Sequence, residues 1–198
     1  MKYPKLRELR EAIKAIIKGP YTSRFPKVPH EPFEAFRGRP KFKEDDCVGC
    51  TACAQVCPAR AIDWQDDIKR KKRILTVRWD ICIFCGQCEA NCLSVTGIKL
   101  SRDFDLATAK RKELFQTIEK SLVACECCGE VIAPHDQLIW VANKIRPLIF
   151  SNASLMLYYL QNKSLSDKEI SRINEPALRS DRMLILCSKC RRRAIYKS

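Results

Sequence analysis

Cysteine occupies 13 of the 198 positions, and the thiols are grouped. They stand at 47, 50, 53 and 57, at 82, 85, 88 and 92, at 125, 127 and 128, and at 187 and 190. A disulfide scaffold spreads its cysteines so that each bridge closes a loop, whereas tight C-x-x-C groups suit a metal. The first two groups, CVGCTACAQVC from Cys47 and CIFCGQCEANC from Cys82, share the spacing C-x2-C-x2-C-x3-C. An iron–sulfur cubane needs one thiolate at each of its four irons. Three cysteines two residues apart form a tight loop that caps one face, and the fourth of each run points away, toward the other cluster. The spacing therefore assigns Cys47, Cys50, Cys53 and Cys92 to one 4Fe-4S cluster, and Cys82, Cys85, Cys88 and Cys57 to a second. Small residues inside the loops, Gly49, Ala52 and Gly86, let backbone N–H groups approach the sulfides and tune the potential. A pair of structural zinc knuckles is the competing use of these thiols; the doubled run favours iron and sulfide.

The two runs resemble those of the bacterial two-cluster ferredoxins. In that family a proline follows the fourth cysteine, and Cys57-Pro58 fits, whereas Cys92-Leu93 does not. The second copy also holds one more residue before its strand: Ile62 follows Cys57 by five positions, Ile98 follows Cys92 by six. The departure concerns the turn after Cys92 rather than the crossed ligation. Between the copies, apolar residues at Ile74, Val77 and Trp79 predict a strand paired with Ala61 to Trp64. Lys69 to Arg73 reads as the solvated tip of that hairpin. Ile98 and Leu100 continue the strand pattern after the second copy.

What must position these loops begins at the amino terminus. Residues 1–18 predict a helix, with Leu6, Leu9, Ile13, Ile16 and Ile17 on one face and Lys2, Lys5, Arg7, Arg10, Lys14 and Lys18 over much of the rest. Gly19-Pro20 stops it. Five prolines in the 21 residues from Pro20 to Pro40 exclude a helix or an interior strand and predict an extended arm. His30 reads as an arm residue rather than a ligand. A small cluster domain cannot bury both helix and arm, so a partner is expected to cover them; a fold back onto the same chain or a membrane surface are the other uses of such a face.

The stretch Phe36-Arg37-Gly38-Arg39-Pro40, set between a basic helix with a proline-rich arm and two cluster motifs, resembles the two-cluster ferredoxin subunit of respiratory complex I. It resembles still more its relatives in membrane-bound, energy-converting nickel–iron hydrogenases and formate hydrogenlyase, where a further cysteine region follows the cluster domain. Residues 36 to 101 carry this likeness. It implies an electron relay with no catalytic residue of its own, on the cytoplasmic face of the membrane. Its partners would be the small and large hydrogenase subunits and a ferredoxin-like donor subunit or soluble ferredoxin. The equivalent subunit of a complex I-like quinone oxidoreductase is the alternative.

In the tail, SLVACECCGEVIA and RMLILCSKCRRR each place cysteines after a short apolar strand. Cys125, Cys128, Cys187 and Cys190 predict a four-thiolate site for zinc, or for a rubredoxin-type iron. Cys127 is a possible substitute ligand or a buried thiol, and His135 a minor candidate. The long gap between the knuckles predicts a helical insertion, with Leu138, Val141, Ile145 and Leu148 on one helical face and Ser166 to Glu169 as a capping box opening another helix.

The fold expected is α+β. A two-cluster ferredoxin-like domain at 42–103 follows an amphipathic helix and arm at 1–41, and a zinc-ribbon-like region with a helical insertion follows at 104–198. The formal charge of +14 counts thiols as neutral; three loaded thiolate sites at about −2 each would leave about +8. A basic nucleic-acid-binding ribbon protein would explain that charge but give the clusters nothing to do, so no nucleic-acid partner is expected. No secretory signal and no run of about 20 apolar residues is present, which points to a reduced, cytoplasmic protein.

Overall fold

The computed structural model describes residues 5–19, 22–163 and 183–196. Its contacts divide the chain into two compact units, residues 1–36 and 37–198. The capping box expected at Ser166 to Glu169 lies outside the described residues.

In the first unit, helix α1 runs Leu6–Lys18. The backbone N–H of Lys5 donates to Glu8 Oε2 at 3.2 Å, and Glu11 pairs with Lys14 at 2.9 Å one turn on. Gly19 closes the helix with φ +82°, its N–H donating to Ala15 O at 3.0 Å. The apolar face is exposed: Leu6 at 85%, Ile16 at 83% and Ile17 at 78%. The arm that follows has turns and bends but neither helix nor strand over the described residues 22–36, as its prolines require.

The second unit contains two antiparallel sheets. Strands β1 (Pro40–Phe42) and β4 (Ile98–Leu100) pair, with Phe42 opposite Ile98. Proline is tolerated in β1 because Pro40 is its first residue. The second sheet is four-stranded in the order β2 (Ile62–Asp67), β3 (Lys72–Arg78), β5 (Phe115–Ala124), β6 (Val131–Pro134). Short helices α2 (Ala52–Gln55) and α3 (Gln87–Ala90) follow the two cysteine loops. Helices α4 (His135–Ile145) and α5 (Ala153–Asn162) stand between the tail's cysteine pairs, and α6 (Ser188–Tyr196) ends the described chain.

Three expectations are altered here. Ile74, Val77 and Trp79 do not share a face: positions 74 and 77 differ by three, and side chains alternate with period two. The inward set is Leu75, Val77 and Trp79, the first two fully buried; Ile74 shares its face with Thr76, whose hydroxyl bonds that of Thr117 across the ladder at 3.2 Å. The segment before Cys187 is not a strand: residues 183–187 have no ladder. They are held instead by isolated bonds, the Ile185 N–H donating to Glu126 Oε2 at 2.7 Å, the Glu126 N–H to Ile185 O at 3.0 Å and the Leu186 N–H to Ser154 Oγ at 3.2 Å. Leu148 falls beyond α4 in a 3-10 turn, 69% exposed, while Leu138, Val141 and Ile145 pack with Ala142 and Ile149 as expected.

No break separates the cluster region from the tail. Strand β5 adds to the free edge of the β2–β3 hairpin, setting Ile118 opposite Leu75. The Gln116 side chain then acts as a strand partner for β1: it accepts from Phe42 N–H at 2.8 Å and donates to Phe42 O at 3.0 Å. Trp79 Nε1 donates to Pro40 O at 2.7 Å, and the Arg39 guanidinium lies 4.8 Å from the Trp79 ring. One core draws on both regions: Phe42, Ile62, Leu75, Val77, Trp79, Ile98 and Ile118 enclose Cys47, Cys53 and Cys88.

Candidate metal centres

The two cysteine runs have the same local build. Each loop turns into its short helix through a left-handed residue, Thr51 (φ 65°) before α2 and Gly86 (φ 80°) before α3. Gly49 is also left-handed, at φ +72°. The turns aim backbone N–H groups at sulfur: Ala61 N–H donates to Cys57 Sγ at 3.2 Å and Phe84 N–H to Cys82 Sγ at 3.4 Å. The N–H of Gly49 bonds Cys47, that of Ala54 bonds Cys53, and that of Glu89 bonds Cys88. These donors favour the thiolate over the thiol.

One cavity is lined by Cys47, Cys50, Cys53 and Cys92, closed by Phe42, Leu75 and Ile98. Across from it, Cys82 has Cys57 and Cys85 as electrostatic neighbours, and Cys88 has Cys82 and Cys85. The fourth thiol of each run thus lies with the other run's loop. Cys47, Cys53 and Cys88 are buried and the other five are half-buried. Burial pushes the Cys53 thiol up to about 12, with the neighbouring Cys47, Cys50 and Cys88 adding to it. Burial likewise raises Cys88 to about 11, and it raises Cys47 and Cys82. Thiols gathered where their protons are hard to remove suit a strong Lewis acid that replaces those protons. Eight soft donors in an apolar cradle with N–H groups aimed at sulfur fit two 4Fe-4S clusters.

Two basic residues at this site were not expected. Arg73, read from the sequence as part of a solvated tip, is only 11% exposed at its side chain. It forms a two-pronged pair with Asp66 at 2.7 and 2.9 Å, donates to Gly49 O at 2.9 Å and lies 4.8 Å over the Trp64 ring. Because β3 starts at Lys72, only residues 68–71 form the turn. Lys120 is 7% exposed; its ammonium donates to Glu44 O and pairs with Asp136 at 2.9 Å. The signal was in the sequence: Ile118, Lys120 and Leu122 fall in one alternating phase, which puts a lysine among inward-facing residues.

In the tail, the sulfurs of Cys125, Cys128, Cys187 and Cys190 lie within 4.8 Å of one another. A metal–sulfur bond of about 2.3 Å implies a tetrahedral edge of about 3.8 Å, and Cys128 Sγ to Cys187 Sγ is 3.7 Å. The donor set therefore fits a single tetrahedral ion. The first pair sits on the turn after β5, where Gly129 takes φ +73°; the second brackets the start of α6. Cys187 N–H donates to Cys125 Sγ at 3.2 Å. Burial opposes ionisation of Cys125, but the N–H groups of Cys187, Cys128 and Cys127 outweigh it and bring the thiol down to about 6. Cys190 is raised, chiefly by its hydrogen bond with Cys128. Cys127 is exposed rather than buried and lies outside the group of four. His135 is also outside it, its Nδ1 bonded to the Tyr158 hydroxyl.

Residues 33–95 match the 4Fe-4S dicluster domain family. The chain is 33% identical over 130 residues to formate hydrogenlyase subunit 6 of Escherichia coli (strain K12), covering 64% of this chain and 70% of that protein. It is 40% identical over 105 residues to the chloroplastic NAD(P)H-quinone oxidoreductase subunit I of Chloranthus spicatus, where it spans 55% of that protein. A chain of the membrane-bound sulfane sulfur reductase, an archaeal respiratory membrane complex, is 28% identical with a TM-score of 0.40, covering 58% of this chain and 61% of that one. No helix among the described residues is long and apolar enough to cross a membrane. With its doubled cysteine loops inside the matched segment and its likeness to the hydrogenlyase subunit running well past that segment, the chain belongs to the 4Fe-4S dicluster family of formate hydrogenlyase subunit 6.

Proposed function

We propose that this protein is an electron-transfer subunit, relaying electrons through two 4Fe-4S clusters to or from the small subunit of a membrane-bound nickel–iron hydrogenase complex of the formate hydrogenlyase type. The observation that carries the reading is the 130-residue likeness to formate hydrogenlyase subunit 6, longer than the dicluster segment at 33–95. Cys47, Cys50, Cys53 and Cys92 hold one cluster, and Cys82, Cys85, Cys88 and Cys57 hold the other. When bound, each cluster supplies one-electron, outer-sphere chemistry. The chain's own residues do the rest. Phe42, Leu75 and Ile98 keep water from the first cysteine set, and backbone N–H groups bond the sulfurs. The half-buried Cys50, Cys57, Cys82, Cys85 and Cys92 leave cluster edges near the surface, where a neighbouring redox centre can approach.

The four tail thiolates hold zinc or a single iron whose binding stabilises a segment with a small core of its own. Helix α1, apolar on one exposed face and basic on the other, docks the subunit against its partners on the cytoplasmic side of the complex. A ferredoxin-like subunit or soluble ferredoxin supplies or takes the electrons. The complex I-like alternative has support in the identity to quinone oxidoreductase subunit I; co-purification of a nickel–iron subunit decides between the two.

Purified without oxygen, the chain is expected to carry about eight irons and eight acid-labile sulfides. Removing residues 1–18 is expected to release it from the complex with both clusters intact. Zinc without sulfide at the eight positions would overturn the relay, and a truncated chain still bound to hydrogenase would overturn the docking role of α1.

A further inference from the structure

Lys120 enters the cluster region from outside it. The strand that carries it, β5, follows both cysteine motifs in the chain, yet its inward phase delivers an ammonium group to the back of the first cysteine loop. The side chain lies against that loop directly: a Cβ placed on Gly49 would meet Lys120 Cγ at 3.2 Å and Lys120 Cβ at 3.3 Å. Its Nζ donates to Glu44 O, three residues ahead of Cys47. Its positive charge acts on the Cys47 sulfur, favouring the thiolate. Among the buried residues of the described chain, Lys120 is the charged or polar one. Its carboxylate partner, Asp136, is 43% exposed at the side chain and stands in the first turn of α4.

A buried cation is costly unless nearby negative charge compensates it. Asp136 provides one such charge, half in water. A four-thiolate cluster of about −2 on the other side provides more, and gains another negative charge on reduction. We propose that Lys120 raises the reduction potential of the cluster bound by Cys47, Cys50, Cys53 and Cys92, with Asp136 setting how much of its charge that cluster feels. The inference rests on the two-cluster relay reading above and assigns a potential-setting role to the tail. The sheet that carries Lys120 reaches the first cysteine set, so the effect falls on one cluster more than the other. Removing the ammonium disfavours the reduced state and leaves Asp136 uncompensated, which acts in the same direction. Neutralising Asp136 leaves the ammonium's field undiminished and favours the reduced state.

The test is an EPR-monitored redox titration of the full, cluster-loaded chain and its Lys120→Met, Lys120→Arg and Asp136→Asn variants. With the solution poised at the wild-type midpoint of the affected cluster, Lys120→Met is expected to lower the ratio of reduced to oxidised cluster several-fold and Asp136→Asn to raise it. A tenfold change corresponds to about 59 mV for one electron. Lys120→Arg, which keeps the charge, is expected to stay within about twofold of the wild type. A merely structural role would not give opposite signs. Ratios unchanged in both neutralising variants, shifts of one sign, or equal shifts in both clusters would overturn the proposal. Should Lys120→Met fail to load its clusters, Asp136→Asn decides: an unshifted or lowered ratio overturns it. A wild-type chain without iron and sulfide would remove the relay reading itself, whereas two clusters with unmoved midpoints would remove this inference alone.

Discussion

Replacing Gly38 with alanine probes how the end of the arm is locked to the cluster domain. The Gly38 N–H donates to Ser101 O at 2.9 Å, the Arg39 N–H to Asp103 O at 3.1 Å, and the Ser101 N–H returns to Arg39 O at 3.0 Å. A Cβ on Gly38 would lie 2.7 Å from Ser101 O and 2.9 Å from the Asp103 carbonyl carbon, and closer still to the Asp103 oxygen. Favourable carbon contacts begin at about 3.5 Å, so the methyl group overlaps three backbone atoms. Those carbonyls are themselves hydrogen-bonded to the 38–39 segment and cannot turn aside without losing their bonds. The two strands must part. Two backbone hydrogen bonds at about 1 kcal/mol each, with overpacking of about 1–3 kcal/mol, give about 3–5 kcal/mol. For a chain of this size that lowers the melting midpoint by on the order of 10 °C. The assay is loss of the clusters' visible absorption on heating without oxygen, at one fixed scan rate. Gly19→Ala is the control. Gly19 is left-handed, at φ +82°, where Gly38 is not, but a Cβ there meets nothing within 4 Å, so its cost stays local to the end of α1. A Gly38→Ala chain that melts within about 2 °C of wild type, or no lower than the control, would refute the steric argument, since the expected shift is several times larger.

Two further outcomes follow from the thiol sites. Cys187→Ser removes a sulfur 3.7 Å from that of Cys128 and is expected to lose one metal ion per chain while iron and sulfide stay near eight each; elemental analysis reads both counts, and loss of cluster iron with the tail metal retained would contradict the separation of the sites. Thiols raised to about 12 at Cys53 and about 11 at Cys88 hold their protons at neutral pH. Metal loading must displace them, so proton release should accompany reconstitution and loading should improve as pH rises from 7 to 9. The tail site, where Cys125 is lowered to about 6, should release fewer than four protons per ion at pH 7. Weakly buffered titration measures this, and loading independent of pH would contradict it.

Much of the candidate site was legible because cysteine spacing is short-range information. Each C-x2-C-x2-C loop closes within a few residues, so its geometry needs little from the rest of the chain, and left-handed Gly49 and Gly86 are marked by residue type. Helix α1 was legible for the same reason, from three- and four-residue apolar spacing and the Gly19 stop. The conformation of the segment before Cys187 was not. An apolar run such as Met183 to Leu186 is compatible with a strand, but a ladder needs a free sheet edge, and here Glu126 and Ser154 side chains take its N–H groups instead. Arg73 misled for a related reason. A basic run looks uniformly solvated until strand register fixes which of its members faces inward; Asp66 opposite Arg73 then supplies the pair that permits burial.

The sequence by itself determined which atoms are available for metal chemistry and how they are grouped, since a thiol loop of fixed spacing has few ways to close. It also determined the helix Leu6–Lys18 and the arm without helix or strand that follows it, which follow from residue type and local period. Only the tertiary structure decided that the tail is continuous with the cluster region, through β5 on the edge of β3 and the Gln116 side chain on β1. It alone decided that Lys120 comes to the back of the Cys47 loop. Pairing between distant strands depends on which edges and charges are left unsatisfied once the local pieces have formed, and that balance is a property of the packed whole.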